Sequence, residues 1–403
     1  MKKVLILTVT AGNGHNSCAN AMKNRLEADG GFEVKIVDVI KEYTSKINSW
    51  TIDKGYNIAC GYLLPFYNMG YNRYMKSDPK KAKICGAQKW VKDASEGVLK
   101  LIYDFQPDVI FGTAYYAGII LANLRRCFSI PAKTISCMLD YVISPFWEAC
   151  VGGIDVMTIS NEAFRQGMIE KGFSNENLVC TGIPVDSRFL QKISRSEACE
   201  KLGLDEKIFT IFVFYGGGHW HGGYKIFKII AKNFKKKVQV VVVNGHDKQS
   251  KKKIDRDIKK LPKNIIVKNF GFSKEIPLIM SACDVMIGKG GGLSTTESVL
   301  KELPLIATKK LPMQEVWNIR FLESVGVALS FGNKKELILH LNDLYDNPDK
   351  LKDMKEKLKP LKTNGLEEIF KIISNSVKIS YENIDKNIDW GKVNKRVSKA
   401  RKN

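Results

Sequence analysis

Apolar residues in this chain fall into two patterns. Some form short continuous runs, and others recur every three or four positions over longer stretches. The first pattern predicts buried strands and the second amphipathic helices. Lys3–Thr8 is the first predicted strand, Asn16–Ala28 a helix, and Phe32–Asp38 the next strand. That βαβ opening predicts a parallel sheet. Strands follow at Val109–Phe111, Lys133–Cys137 and Val156–Ile159, then a helix over 162–171, and Val179–Val185 closes the first half. After a connector and helix over Ser187–Leu204 the pattern restarts. Strands are predicted at Ile208–Phe214, Val238–Asn244, Ile265–Phe270, Val285–Ile287 and Leu305–Ala307. Helices are predicted over 248–260, from Pro277 to about Ala282, over Leu293–Leu300, near Asn318–Val325, and over Lys334–Tyr345. The expected architecture is α/β, with two successive doubly wound Rossmann-like domains and ligand in the cleft at the C-terminal edges of the strands. The expected boundaries are 1–187 and 188–365, with C-terminal helices and a basic tail over 366–403.

Residues 43–90 break the βα rhythm and offer no strand. Aromatic and basic residues interleave there: Trp50, Tyr56, Tyr62, Phe66, Tyr67, Tyr71 and Tyr74 with Lys54, Arg73, Lys76, Lys80, Lys81 and Lys83. Rings among headgroups and cations on anionic lipid suit a membrane interface. Bases stacking on rings suit single-stranded nucleic acid. A helical insertion packed on its own domain fits the composition as well. The membrane reading singles out Tyr62, Phe66, Tyr67, Tyr71 and Arg73.

Composition narrows the picture. At 403 residues and 44% hydrophobic content the chain is long enough for two full-sized cores. No apolar run reaches the ~18 residues of a membrane span. The run Val4–Thr8 is too short for a signal peptide, so a cytoplasmic location is expected. Nine cysteines without CxxC or Cys–His spacing argue for reduced thiols and against a zinc site, and the five histidines are dispersed. The net charge of +22 points to an anionic partner or to a solvated lysine-rich surface. The tail from Ile384 carries Lys386, Lys392, Lys395, Arg396, Lys399, Arg401 and Lys402 around Trp390. It is either a disordered basic tail or a second lipid-facing element.

Candidate chemistry sits in the glycine-rich turns. The stretch Asp284–Glu297 reads as strand, Gly288-Lys289-Gly290-Gly291-Gly292, then a helix start with Ser294, Thr295 and Thr296. Bare amides at a helix N-terminus, its dipole, and glycines that admit a phosphate make an anion site. No Lys-Ser or Lys-Thr ends the loop, so a Walker motif is excluded. Glu297 is placed to bind a ribose diol, and Gln314-Glu315 lie further out for a sugar. A tight turn without ligand is the alternative. A second turn, Thr10-Ala11-Gly12-Asn13-Gly14-His15, follows the first strand. Gly216-Gly217-Gly218 and Gly222-Gly223 bracket His219 and His221, which contact phosphate or line the cleft.

Taken in order, these segments resemble the monogalactosyldiacylglycerol synthase and processive diacylglycerol glucosyltransferase family, related to the enzyme that adds N-acetylglucosamine to a lipid-linked muramyl carrier. The turn Thr10–His15 resembles the family's Gly-x-Gly-His loop. Asp140-Tyr141, Pro145-Phe146-Trp147 and Thr181–Val185 resemble its acceptor-domain landmarks. Lys289–Ser294, Glu297, Leu303-Pro304, Gln314-Glu315 and Asn318 resemble its nucleotide-sugar signature. The chain departs from the family at Gly290, where proline is usual, and at Met313, where glycine is. It also departs at Leu139, commonly threonine, and at Ser144, frequently histidine.

The resemblance implies a two-Rossmann (GT-B type) glycosyltransferase. It implies UDP-glucose or UDP-galactose as donor substrate, no cofactor or bound metal, inversion at the anomeric carbon, and a diacylglycerol or glycolipid acceptor. It places the protein on an anionic membrane surface at the inner face of the cell membrane, without nucleic acid. Donor-binding candidates are then Gly216, Gly217, Gly291, Gly292, Leu293, Ser294, Thr295, Glu297, Gln314, Glu315 and Asn318. Acceptor-side candidates are Gly12, Asn13, Gly14, Pro145, Phe146 and Trp147. His15 suits the base that takes the acceptor proton, because imidazole titrates near neutral pH. Asp140 orients or assists it, binds acceptor, or is itself the base. The competing functions are transfer to another lipid-linked or a soluble acceptor, a UDP-sugar epimerase of the same design, and a non-catalytic UDP-sugar-sensing or nucleic-acid-binding protein.

Overall fold

The computed structural model of the chain describes residues 1–10, 13–45, 50, 55–61, 63–75, 87–215, 222–382, 384 and 387–400. They form two compact units, Met1–Asp186 with Thr363–Asn403, and Ser187–Lys362.

In the first unit six parallel strands make one sheet: β1 (Lys2–Thr8), β2 (Phe32–Asp38), β3 (Val109–Gly112), β4 (Lys133–Cys137), β5 (Val156–Ile159) and β6 (Leu178–Cys180), in the order β2-β1-β3-β4-β5-β6. Val4, Leu5, Ile6 and Leu7 of β1 are wholly buried. A strand covered by helices on both faces reads as a continuous apolar run, which is why β1 was legible. The order reverses between β1 and β3, because the chain leaves β1 for β2 on one side and returns for β3 on the other. The loops after β1 and β3 therefore splay apart and open a crevice at the strand C-termini.

The second unit repeats the plan: β7 (Thr210–Phe214), β8 (Val238–Val243), β9 (Ile265–Phe270), β10 (Val285–Gly288), β11 (Leu305–Thr308) and β12 (Ala328–Phe331), in the order β12-β11-β10-β7-β8-β9, all parallel. Its switch point lies between β7 and β10. The pattern reading missed β12. That strand has four residues at the sheet edge, with Leu329 and Ser330 only half-buried, so it carries no continuous apolar run. Gly326 and Gly332 on either side were its one sequence signal.

The C-terminal helices and basic tail expected over 366–403 group with the first unit, which the chain rejoins at Thr363. The return passes Gly182 (φ +80°), where a Cβ would lie 2.6 Å from Thr363 Cβ, so only glycine fits there. Helix Gly365–Ser374 then packs on helix Gly14–Asp29. Arg25 grips Glu367 with two bonds of 2.8 and 3.0 Å, its guanidinium lies 3.4 Å from the Phe370 ring centre, and Phe370 meets Phe32 edge to face. Further on, the Tyr381 hydroxyl donates to Pro107 O at 2.7 Å. Helix Val393–Ala400 buries Val393 and Val397, and Arg396 lies over Phe128. Basic composition suggested a loose tail, but apolar positions at i and i+4 anchor it.

Helices fill most of what is described within 43–90: Tyr56–Gly61, Leu64–Met75 and the start of Ala87–Phe105. Helix Leu64–Met75 has two faces. Tyr67 and Tyr71 are half-buried and stack on each other, while Phe66 is 68% and Met69 65% exposed, with Leu63 and Arg73 on the same outward stripe. The sequence reading had grouped Phe66 with Tyr67 and Tyr71, and helical periodicity separates them. Tyr62 falls outside the described residues.

Candidate functional site

A glycine turn flanks each switch point, after β1 in the first unit and after β10 in the second, and these two turns present different chemistry. In the second unit, β10 ends at Gly288 and helix Gly292–Leu300 begins after Gly291, whose extended backbone (φ −67°, ψ 137°) caps it. The Thr295 amide closes the first helical turn on Gly291 O at 2.9 Å. The amides of Gly292, Leu293 and Ser294 precede it and have no carbonyl one turn back to reach. They are the donors that an anion would meet, with the helix dipole behind them. Thr295 and Thr296 are buried, and the Thr296 hydroxyl donates to Gly292 O at 2.9 Å. Thr295, expected among the donor-binding residues, is wholly buried, and its hydroxyl makes no hydrogen bond among the described residues.

The loop is held from beneath by helix Met313–Ser324. Asn318, wholly buried, donates to Gly290 O at 2.7 Å, so it shapes the loop. Lys289 Nζ lies 3.8 Å from Glu315 Oε1. A Cβ on Gly290 would sit 2.4 Å from Glu315 O and 2.6 Å from Ile319 Cγ1. Helix Met313–Ser324 thus approaches the loop more closely than any side chain at 290 permits. Glu297 and Gln314 are half-buried on these two helices, whereas Glu315 is buried. Gly216, Gly217, His219 and His221 lie outside the described residues.

In the first unit His15 stands in the first turn of helix Gly14–Asp29, after Asn13, whose side chain makes no capping bond. Its Nδ1 lies 2.6 Å from Thr113 O, just past β3. A carbonyl only accepts, so Nδ1 carries the proton and Nε2 keeps the lone pair. Burial lowers the pKa of His15, opposed by its bond to the Thr113 carbonyl and by the charge of Asp38, so the ring is neutral at neutral pH. Around it runs a chain of side-chain bonds. Thr113 Oγ1 donates to Thr8 Oγ1 and Thr8 Oγ1 to Asn16 Oδ1, both at 3.0 Å. Asn16 Nδ2 donates to Thr10 Oγ1 at 3.1 Å, and Thr10 donates to the Asp38 carboxylate. Asp38 also caps helix Val39–Tyr43 by accepting from Ile40 N and Lys41 N. Sequence reading took Asp38 only as a strand end, and no local motif marked it. Gly12 lies outside the described residues, and Gly14 is half-buried.

Asp140 falls beside a different group. Burial raises the pKa of Tyr71 above the ordinary tyrosine value, and Asp140 pushes it the same way. Ser160 Oγ donates to Asp140 O at 2.8 Å. Nearby, Tyr115 stacks on Phe146 with ring centres 4.6 Å apart and meets Trp147 edge to face at 6.1 Å. Trp147 and Pro145 are buried and Phe146 is half-buried. Ser144 accepts from Phe146 N and starts the short 3₁₀ turn Pro145–Cys150, filling a capping role where the family often has histidine. The acceptor-side landmarks thus form an aromatic wall, with Trp147 as part of its core.

Comparison with known proteins agrees with this arrangement. Residues 15–185 match the family described as monogalactosyldiacylglycerol (MGDG) synthase, and residues 198–359 match glycosyl transferases group 1. The chain is a glycosyltransferase with a monogalactosyldiacylglycerol synthase domain followed by a glycosyl transferases group 1 domain. The processive diacylglycerol beta-glucosyltransferase of Bacillus licheniformis is 28% identical to this glycosyltransferase over 375 residues, 91% of this chain and 93% of the relative. The Bacillus subtilis protein of the same name is 25% identical over 373 residues, again 91% and 93%. Among solved structures, Acinetobacter baumannii MurG superposes with a TM-score of 0.59 at 14% identity, covering 93% of this chain and 99% of MurG. Streptomyces sp. SF2575 glycosyltransferase SsfS6 gives 0.54 at 12%, covering 93% and 100%. These likenesses establish the two-domain GT-B fold expected from the sequence. Among the described residues no helix is long and apolar enough to cross a membrane.

Proposed function

We infer that this enzyme moves a hexose from UDP-glucose or UDP-galactose to a diacylglycerol-type acceptor, with inversion, on the cytoplasmic face of an anionic membrane. The observation that carries the reading is His15, held with its proton on Nδ1 and its basic lone pair on Nε2 at the first switch point. The acceptor hydroxyl gives its proton to Nε2 as its oxygen bonds the anomeric carbon. The bond from that carbon to the diphosphate breaks, and UDP leaves with the electron pair. The negative charge that develops on the leaving oxygen needs fixed positive potential. The amides of Gly292, Leu293 and Ser294 and the dipole of their helix supply it. Glu297 is assigned to the ribose, and Gln314 and Glu315 to the sugar.

The relatives named as diacylglycerol glucosyltransferases support the lipid acceptor. Helix Leu64–Met75 supports membrane docking, because Phe66 and Met69 stand out from the first unit with Arg73 beside them. An exposed apolar stripe flanked by a cation suits a lipid surface. The test supplies UDP-[14C]glucose or UDP-[14C]galactose to the purified protein with phosphatidylglycerol vesicles carrying diacylglycerol. Labelled β-glycosyl lipid is the expected product, and the Phe66→Ser/Met69→Ser double variant should make less of it and sediment less with the vesicles. Label that appears only in soluble products overturns the lipid acceptor. A double variant that binds the vesicles like the parent overturns the docking face.

A further inference from the structure

We propose that Asp38 is a positioning residue for His15, acting through the relay Thr10–Asn16–Thr8–Thr113. The inference rests on the reading of His15 as the base and assigns the supporting role to a carboxylate other than Asp140.

Direction is the first argument. From Thr113 to Asp38 each group donates to the next: Thr113 hydroxyl to Thr8, Thr8 to Asn16, the Asn16 amide to Thr10, and Thr10 to the carboxylate. A relay with every donor aligned polarises itself and has one low-energy arrangement. It ties together the C-terminal ends of β1 and β2, the residue after β3, and the first turn of helix Gly14–Asp29. These are the pieces that fix where the His15 ring lies. The Thr113 residue that starts the relay also offers the carbonyl that selects the Nδ1–H tautomer.

Charge is the second argument. On its own helix His15 has no acidic residue in the first turn. From β2 and helix Val39–Tyr43 come Asp38, Glu42, which accepts from Asp38 N, and exposed Lys41. After β3 come Tyr115 and Tyr116, whose hydroxyls burial keeps protonated. The pair Arg25–Glu367 lies at the far end of the helix, about 15 Å away at ~1.5 Å per residue. Asp38 is therefore the anion whose field reaches the imidazole, and it favours the protonated ring that forms as the acceptor loses its proton.

The test is the pH dependence of kcat/KM for the parent, Asp38→Asn, Thr10→Val and His15→Ala. Asparagine still caps helix Val39–Tyr43, and Thr10→Val leaves both cap and charge while cutting the relay. Removing the negative charge lowers the pKa of the ring. The acid limb should then move to lower pH by about half a unit, and the plateau rate should fall about tenfold through a weaker, less fixed base. Thr10→Val should lower the plateau with a smaller shift of the limb. A merely structural role would lower the rate without moving the limb. If His15→Ala is crippled while Asp38→Asn keeps the parent's limb, the inference is overturned and the base stands. If His15→Ala turns over like the parent, the base itself is wrong and this inference goes with it.

Discussion

The turn after β1 and the turn after β10 each flank the switch point of their own sheet, the first on the opening strand and the second on the strand that follows the reversal. Both connect a buried strand to a helix through glycines. The first presents a side chain, the His15 ring, held by the Thr113 carbonyl. The second presents backbone, the amides ahead of Thr295, and directs its side chains inward to the core or to the loop itself. A proton acceptor has to be a titratable group, so the first turn needs a particular residue and a particular tautomer. An anion site needs only N–H groups in a fixed array, so the second needs absent side chains and a rigid floor. Two turns beside a switch point thus differ in whether they present side chain or main chain.

Three substitutions probe that contrast, in falling order of effect. His15→Ala removes the side chain on which the first turn depends. Its kcat should drop by ~10²–10⁴ while UDP affinity, measured by titration calorimetry, stays at the parent's value. Normal turnover at saturating donor and acceptor would move the base elsewhere, with Asp140 the next candidate. Glu297→Ala leaves the amide array intact and removes one charged partner. UDP binding should weaken by ~1.5–3 kcal/mol with the fold unchanged, and equal affinities would cancel the ribose role. Gly290→Ala adds one carbon where Glu315 O and Ile319 leave no room. Overpacking of this kind costs ~1–3 kcal/mol, so the second unit should unfold at lower denaturant and bind UDP less well. Unchanged stability in Gly290→Ala would show that the helix moves freely and is no rigid floor.

The acceptor side shows where reading by residue type stops. Phe66, Tyr67 and Tyr71 looked alike as aromatic residues beside cations. In the structure Phe66 is exposed, while Tyr67 and Tyr71 are half-buried, and the charge of Asp140 acts on Tyr71. Helical spacing could have separated them, had the helix start been known. Asp38 gave no such warning. It ends a strand as many aspartates do, and its importance comes from Thr10, which bonds it across 28 residues of sequence, and from Asn16, which bonds Thr10.

The sequence by itself determined most of the strands, the two-domain α/β plan, the glycine turns and the resemblance to glycosyltransferases. Continuous apolar runs and glycines are local consequences of burial on both sheet faces and of close backbone approach, and local features survive in one dimension. Tertiary structure alone decided that the basic C-terminal segment returns to the first unit, where Gly182 lets it pass and Arg25 and Phe32 receive it. It also decided that Asn318 supports the loop, and that the charge acting on His15 is Asp38. Each of those facts is a meeting of residues distant along the chain, and the pairing depends on strand order and helix packing, which no single stretch of residues encodes.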